Sequence, residues 1–212
     1  MALVAGGGVV MERRWLLPVV ADASVPDERI AWTLAGLRDL PEPLLRMFWA
    51  AGIRVLIHPR FEDEWEASPW HGRSDEIIPW SRSGGWYDTD DAWVVVNGAY
   101  PDNAAEMRAT LYHELGHAHH HLTGDAQRGP AFREAWKLGR RRVQEHQPRA
   151  YEARDGLGMY CIHWTRGTME AWADAFAWNL GGRATIHPGF GDTFRECVAV
   201  VAGHLDQVQE AA

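Results

Sequence analysis

The residues best suited to chemistry lie between positions 113 and 121, which hold five of the chain's 11 histidines. Positions 113–117 read HELGH, an HExxH motif. Residues four apart lie one turn apart on the same side of a helix, so His113 and His117 are expected to direct two imidazoles at one ion, with Glu114 beside it. Such an arrangement binds zinc and acts on a water molecule. The prediction requires that residues 110–121 are helical and that a third ligand exists.

The residues around the motif predict a long helix. Asn103, with Glu106 three positions later, is typical of a helix start. Gly124 is typical of a helix end. Between them, apolar residues recur three or four positions apart on one stripe, which comprises Met107, Leu111, Leu115, Ala118 and Leu122. His113 and His117 fall beside that stripe, so their side chains can be held firmly and still face a cleft.

A third zinc ligand must come from elsewhere, because catalytic zinc usually has three protein ligands and one open position. A histidine six positions after His117 is excluded, since Thr123 stands there. We predict Glu170, which lies on a second predicted helix and outside its apolar stripe. Asp174 follows one turn later on the same face. It is expected to accept a hydrogen bond from a ligating histidine and so to fix the orientation of that ring.

The other elements are predicted from periodicity, capping residues and turn signals. Thr168 is expected to cap the helix that carries Glu170, with Met169 on its buried side. Thr193 and Glu196 are expected to form a capping box that opens a C-terminal helix. The remaining predicted elements are helices at 26–37, 44–51 and 130–143, a strand at 53–57, and a hairpin whose second strand covers 92–97.

The hairpin just before the motif has a functional interpretation and a structural one. An exposed edge strand near 92–97 would bind an extended protein or peptide substrate by adding it to the sheet. Alternatively, Trp93, Val94 and Val96 are simply core residues. The sequence leaves both interpretations open.

Composition limits the class of protein. With 212 residues, of which 46% are hydrophobic and 24% charged, the chain can bury a sizeable core. We predict one domain over 1–212, in which residues 1–25 can form an extended N-terminal segment. The net charge of -8 disfavours nucleic acid and anionic membranes as partners, and we expect neither. The two cysteines, Cys161 and Cys197, are too few for a disulfide scaffold, and whether they pair stays open.

Targeting signals are weak. No apolar run approaches the ~20 residues that span a bilayer, and no convincing signal peptide is present. The localisation therefore stays open between the cytoplasm and secretion.

The two helix motifs together resemble a known family. HELGH at 113–117, followed by EAWAD at 170–174, is similar to the gluzincin metallopeptidases, and most like the catalytic domain of anthrax lethal factor and the Pro-Pro endopeptidases. The resemblance implies an α+β, zincin-like domain. In such a domain a small mixed sheet with an edge strand packs on the HExxH helix, and the C-terminal half is mainly helical.

The resemblance also implies a zinc endopeptidase that hydrolyses peptide bonds through a zinc-activated water. It assigns Zn²⁺ to His113, His117 and Glu170, and the role of general base to Glu114. The family has a tyrosine shortly before its third ligand that assists the transition state. This sequence offers Tyr160 and, closer to the expected spacing, His163, so the donor to the oxyanion stays open between them.

Two other functions are compatible with the same motifs. One is a catalytically silent zincin-like module that binds a partner. The other is a secreted toxin or effector protease with a narrow target. An intact Glu114 argues against the silent module, because a purely structural metal site does not need a base.

Overall fold

The fold is of the α+β class, as predicted: the described strands all lie before residue 98, with two helices among them, and the described elements after residue 98 are helical. The structure, a computed structural model, describes residues 15–59, 84–99, 101–146, 167–186 and 188–211. Within these ranges the elements are β1 Val19–Ala21, α1 Asp27–Asp39, α2 Glu42–Ala50, β2 Arg54–His58, β3 Gly85–Asp88, β4 Trp93–Asn97, α3 Ala104–Leu122, a 3-10 turn Ala126–Arg128, α4 Pro130–His146, α5 Thr168–Asn179, α6 Phe190–Thr193 and α7 Arg195–Glu210.

The four strands form a mixed sheet in the order β1-β2-β4-β3. β1, β2 and β4 are parallel, and β3 is antiparallel to β4. β4 therefore has a neighbour on each side, and the expectation that 92–97 is an edge strand is wrong. The sequence indicates the hairpin, but it does not show on which side of the hairpin an earlier strand joins. Among the described strands, β1 and β3 lie at the two edges of the sheet.

The N-terminal part of the chain contributes to the core as far as the structure describes it. Residues 19–21, which lie within the predicted extended segment 1–25, form β1 and pair with β2. Leu17 and Val25 on either side of this strand are buried. The strand was not predicted, because three residues are too few to show a periodicity.

The long helix α3 begins and ends as its capping residues predict. The Asn103 side chain accepts hydrogen bonds from the backbone N–H groups of Ala105 and Glu106, each at 3.0 Å. The Glu106 carboxylate in turn accepts from the Asn103 amide, at 2.9 Å. At the other end Gly124 has a φ of 72°, a left-handed conformation that glycine adopts without strain. These contacts fix the length of the helix that carries the motif.

Helix α3 is buried on more than one side. Its predicted stripe faces the core, with Met107, Leu111, Leu115 and Ala118 fully buried. Tyr112, on another side, is also buried, and its hydroxyl donates to the Gly36 carbonyl of α1 at 2.8 Å. Contacts with α1, α5, β3 and β4 surround the helix, which makes it the centre of the fold.

The predicted starts of the two later helices are wrong in detail. The N-cap of α5 is Gly167 and not Thr168. Met169, which was expected on the buried side of this helix, is 46% exposed. Thr193 and Glu196 do not form a capping box. Glu196 instead forms two hydrogen bonds with the Arg142 guanidinium of α4. The Glu196 carboxylate, which would be the acceptor in the capping box, thus binds an arginine that is distant in the sequence. No local pattern predicts this contact.

Two further features concern the whole of the described chain. No helix in the described ranges is long and apolar enough to cross a membrane. Cys197 is buried and lacks a disulfide partner among the described residues, and burial raises the pKa of its thiol to about 12. Cys161 lies outside those residues.

Candidate metal centre

Three side chains from two helices bring one donor atom each to a common point. Nε2 of His113 lies 3.1 Å from Nε2 of His117, and both nitrogens face Oε2 of Glu170, at 3.2 and 3.5 Å respectively. The histidines come from α3 and the glutamate from α5. These are the residues predicted as ligands, and within the described ranges they form the one group of three that could hold a metal ion.

The donor spacing fits a tetrahedral zinc ion. Zinc lies about 2.0–2.2 Å from nitrogen and oxygen donors, so two donors at tetrahedral positions are about 3.3 Å apart. The three measured separations, 3.1, 3.2 and 3.5 Å, bracket that value. Two imidazoles and one carboxylate are also a donor set that zinc accepts. The geometry is compatible with other ions that take the same donors, so it supports a metal site without identifying the metal.

Asp174 lies behind His113, as predicted from its position one turn after Glu170. Nδ1 of His113 donates a hydrogen bond to Oδ1 of Asp174 at 2.7 Å. In the neutral ring with its proton on Nδ1, Nε2 has a lone pair that can bind a metal ion. The aspartate side chain is only 9% exposed, so this hydrogen bond is shielded from competing water.

The electrostatics of the centre favour a cation. Burial lowers the pKa of the His113 imidazole, but the carboxylates of Asp174, Glu170 and Glu114 outweigh it and raise that pKa well above its usual value. Burial raises the pKa of Glu114, partly offset by the two histidines, while Glu170 and Asp174 raise it further. Three carboxylates around two imidazoles thus make a site that positive charge stabilises.

The Glu114 side chain extends from α3 toward β3. Glu114 is only 5% exposed, although a glutamate side chain in water is charged at neutral pH. On its outer side it meets Gly85 of β3, where an added Cβ would come within 2.8 Å of the Glu114 Cγ. The side chain is therefore enclosed next to the metal ligands, which is where a general base would have to lie.

Close approach of α3 and α5 brings Glu170 to the histidines. At the crossing, Gly116 packs directly on the backbone of Ala173, and a Cβ at Gly116 would come within 2.7 Å of the Ala173 Cα. The same Cβ would come within 3.1 Å of the Phe176 Cβ. Gly116, the fourth residue of the motif, thus sets how near the third ligand can come.

The histidines that follow the motif differ from one another. His119 and His120 are buried, and His121 is exposed. Burial lowers the pKa of His119 to about 3 and that of His120 to about 4. The His119 ring stacks on Trp172, with centroids 5.8 Å apart. His119 is therefore a neutral core residue on the α5 side of the helix.

Sequence reasoning missed two residues of the centre and named two that the structure does not describe. Gly85 and Gly116 have no side chain to suggest a role, and the only available signal was the Gly84-Gly85 pair at the start of a strand. Tyr160 and His163, the two expected donors to the oxyanion, lie outside the described residues.

Comparisons with known proteins agree with this arrangement at the level of the fold. Neither family models nor curated protein sequences match the chain. Among solved structures it is similar to a Pro-Pro endopeptidase from Paenibacillus alvei, with a TM-score of 0.55 and 16% sequence identity over 87% of this chain and 96% of that one. At this identity the likeness shows the fold alone. The chain thus has an α+β fold similar to that of this endopeptidase, and its described residues include a His/His/Glu group that could hold a metal ion.

Proposed function

We propose that residues 1–212 form one zincin-like domain and act as a zinc-dependent endopeptidase. The observation that carries this proposal is the spacing of the donor atoms of His113, His117 and Glu170, which fits a tetrahedral zinc ion. Asp174 is hydrogen-bonded to His113 on the far side of that ring. An enclosed Glu114 beside them adds the group that a hydrolase needs and a structural metal site does not.

Each residue then has a defined task. His113, His117 and Glu170 would hold the ion, and Asp174 would keep the His113 ring oriented with Nε2 toward it. Zinc, when bound, supplies Lewis acidity, which activates water and polarises a scissile carbonyl. Glu114 would accept a proton from the attacking water and return it to the leaving amine.

The donor to the developing oxyanion would be Tyr160 or His163. Both come shortly before Glu170 in the chain, the region from which the resembling family supplies a tyrosine. Such a donor typically contributes about 3 kcal/mol to catalysis. Either side chain can donate a hydrogen bond to the oxyanion, and substituting each residue in turn decides between them.

The substrate would be a protein or peptide in an extended conformation. Among the described strands, β3 lies at the edge of the sheet next to β4, and a Cβ added at Gly85, its first residue, would meet Glu114. A peptide paired with the outer edge of β3 would thus pass close to the proposed base. Because the similar structure is a Pro-Pro endopeptidase, peptides with consecutive prolines are the first substrate class to examine.

The test is a digestion experiment with a metal assay. Purified protein is expected to contain one equivalent of zinc and to cleave members of a peptide library that includes Pro-Pro sequences. A chelator should abolish cleavage and added zinc should restore it. Glu114→Gln should keep the zinc and lose cleavage, since only the base is removed.

Two outcomes would overturn the assignment. Cleavage retained by Glu114→Gln would exclude this residue as the base. One equivalent of zinc with no cleavage of any peptide or of any protein in a denatured proteome would favour the catalytically silent binding module.

A further inference from the structure

Gly85 at the start of the edge strand has an unusually close neighbour in the candidate site. A Cβ built on Gly85 would lie 2.8 Å from Cγ of Glu114 and 3.1 Å from its Oε1. A Cβ atom in a protein essentially never lies within 3.0 Å of a heavy atom of a residue that is not its neighbour in the chain. The Glu114 side chain thus occupies the space that any other residue at position 85 would fill.

The backbone cannot easily move away on either side of this contact. The same Cβ would also overlap the Val95 carbonyl oxygen, which belongs to the backbone of β4. Gly85 is also held in register opposite Val96 by the β3–β4 ladder. On the other side, Glu114 is on α3, which is packed against α1 and α5. The part with most freedom is the Glu114 side chain itself.

We propose that Gly85 is a positioning residue for Glu114, because the absence of a side chain at Gly85 leaves the space that the Glu114 side chain occupies beside the candidate metal ligands. This inference rests on the proposed peptidase function. A larger residue at position 85 displaces the carboxylate from the path of the attacking water, while the metal ligands on α3 and α5 stay in place.

The neighbouring Gly84 provides a matched control. A Cβ at Gly84 would meet the side chain of Thr110, at 2.9 Å from its Cγ2 and 3.0 Å from its Oγ1. Thr110 lies one helical turn before Glu114 and is not part of the proposed machinery. Gly84→Ala therefore disturbs the same contact between strand and helix without touching the proposed base.

The first experiment compares the kinetics of Gly85→Ala and Gly84→Ala with one cleavable peptide. Gly85→Ala is expected to lower kcat by about 100-fold, the typical cost of misplacing a catalytic group by about 1 Å, with KM and zinc content unchanged. Gly84→Ala should lower kcat by less than about threefold. Equal losses in the two variants, or a loss of zinc in Gly85→Ala, would show a general disturbance of the strand and overturn the proposal.

The second experiment does not depend on activity. Gly85→Ala is made alone and together with Glu114→Ala, which removes the Cγ and carboxylate that the new Cβ would meet. The drop in Tm caused by Gly85→Ala should be smaller by about 2–4 °C in the double variant. Equal drops in both backgrounds would show that the strand backbone alone sets the requirement for glycine, and the inference fails.

The two experiments separate the possible failures. If the wild-type protein cleaves nothing, the proposed function fails, and the Tm measurements still decide whether Gly85 and Glu114 compete for the same space. If Gly85→Ala does not fold alone but folds together with Glu114→Ala, the contact is supported. If neither folds, the inference is overturned.

Discussion

Asp174 of α5 is hydrogen-bonded to His113 of α3, and through this contact α5 orients a candidate metal ligand on α3. The 2.7 Å hydrogen bond from Nδ1 of His113 leaves Nε2 directed at Glu170, 3.2 Å away. In the proposed zinc site, Asp174 would fix both the tautomer and the rotation of the ring without itself binding the ion. Its effect on the site is measurable through metal affinity.

Asp174→Asn is expected to lower zinc affinity by about 10–100-fold, because the amide is a weaker acceptor and does not offset the charge that the ring gains on binding a cation. A competition titration with a chromophoric chelator measures the change. Asp125→Asn is the control, since Asp125 lies 3.8 Å from His120, which is not a proposed ligand, and should leave the affinity unchanged. Unchanged affinity in Asp174→Asn would remove Asp174 from the site.

Gly116→Ala is expected to separate α3 from α5 and to weaken the metal site together with the fold. The new Cβ would lie 2.7 Å from the Ala173 Cα, and such overpacking costs about 1–3 kcal/mol in the free energy of unfolding. Zinc affinity should fall as well, because Glu170 moves with α5. Denaturant unfolding and the chelator titration measure the two effects.

The control for that prediction is Gly203→Ala on α7. A Cβ at Gly203 has open space around it, so alanine should stabilise the helix by about 0.5–1 kcal/mol. A similar gain from Gly116→Ala would mean that α3 and α5 are not in the close contact described above.

Tyr160→Phe and His163→Ala are expected to differ in their effect on cleavage. The variant that removes the donor to the oxyanion should lower kcat by about 100-fold or more, with zinc content unchanged, because such a hydrogen bond strengthens only in the transition state. The other variant should keep most of the activity. If both variants cleave as the wild type does, neither residue donates to the oxyanion.

Acid should weaken the contact between α4 and α7. The Arg142 guanidinium holds the pKa of Glu196 at about 2, below its ordinary value of 4.5. A depressed pKa in the folded state adds stability that is full above about pH 5 and is lost as the pH falls through about 2. Glu196→Gln should therefore cost about 1–2 kcal/mol at neutral pH and progressively less between pH 5 and 2.

Urea unfolding at several pH values measures this dependence. Glu134→Gln serves as the control, because its partner Lys137 is on the surface and the glutamate side chain is 65% exposed, so solvent screens the pair. A constant cost of Glu196→Gln over the whole pH range would contradict the ion pair.

Local sequence was enough to predict the parts of this molecule whose interactions are between near neighbours. The start of α3 follows from Asn103, whose side chain bonds to backbone N–H groups within three residues, and from Glu106, which bonds to the Asn103 side chain. The shared side of His113 and His117 follows from helix geometry, and so does the single turn between Glu170 and Asp174. The helix on which each candidate ligand lies could thus be predicted from the chain alone.

Contacts between distant residues decided the rest, because no local pattern encodes them. β4 is internal because β2, more than 30 residues earlier, pairs with its other side. Glu196 turns from its expected cap to Arg142, which lies on another helix. The nearness of Glu170 to the histidines depends on Gly116 against Ala173, and the enclosure of Glu114 depends on Gly85. In both pairs the decisive property is a missing side chain, and its effect is seen only when a second element packs against it.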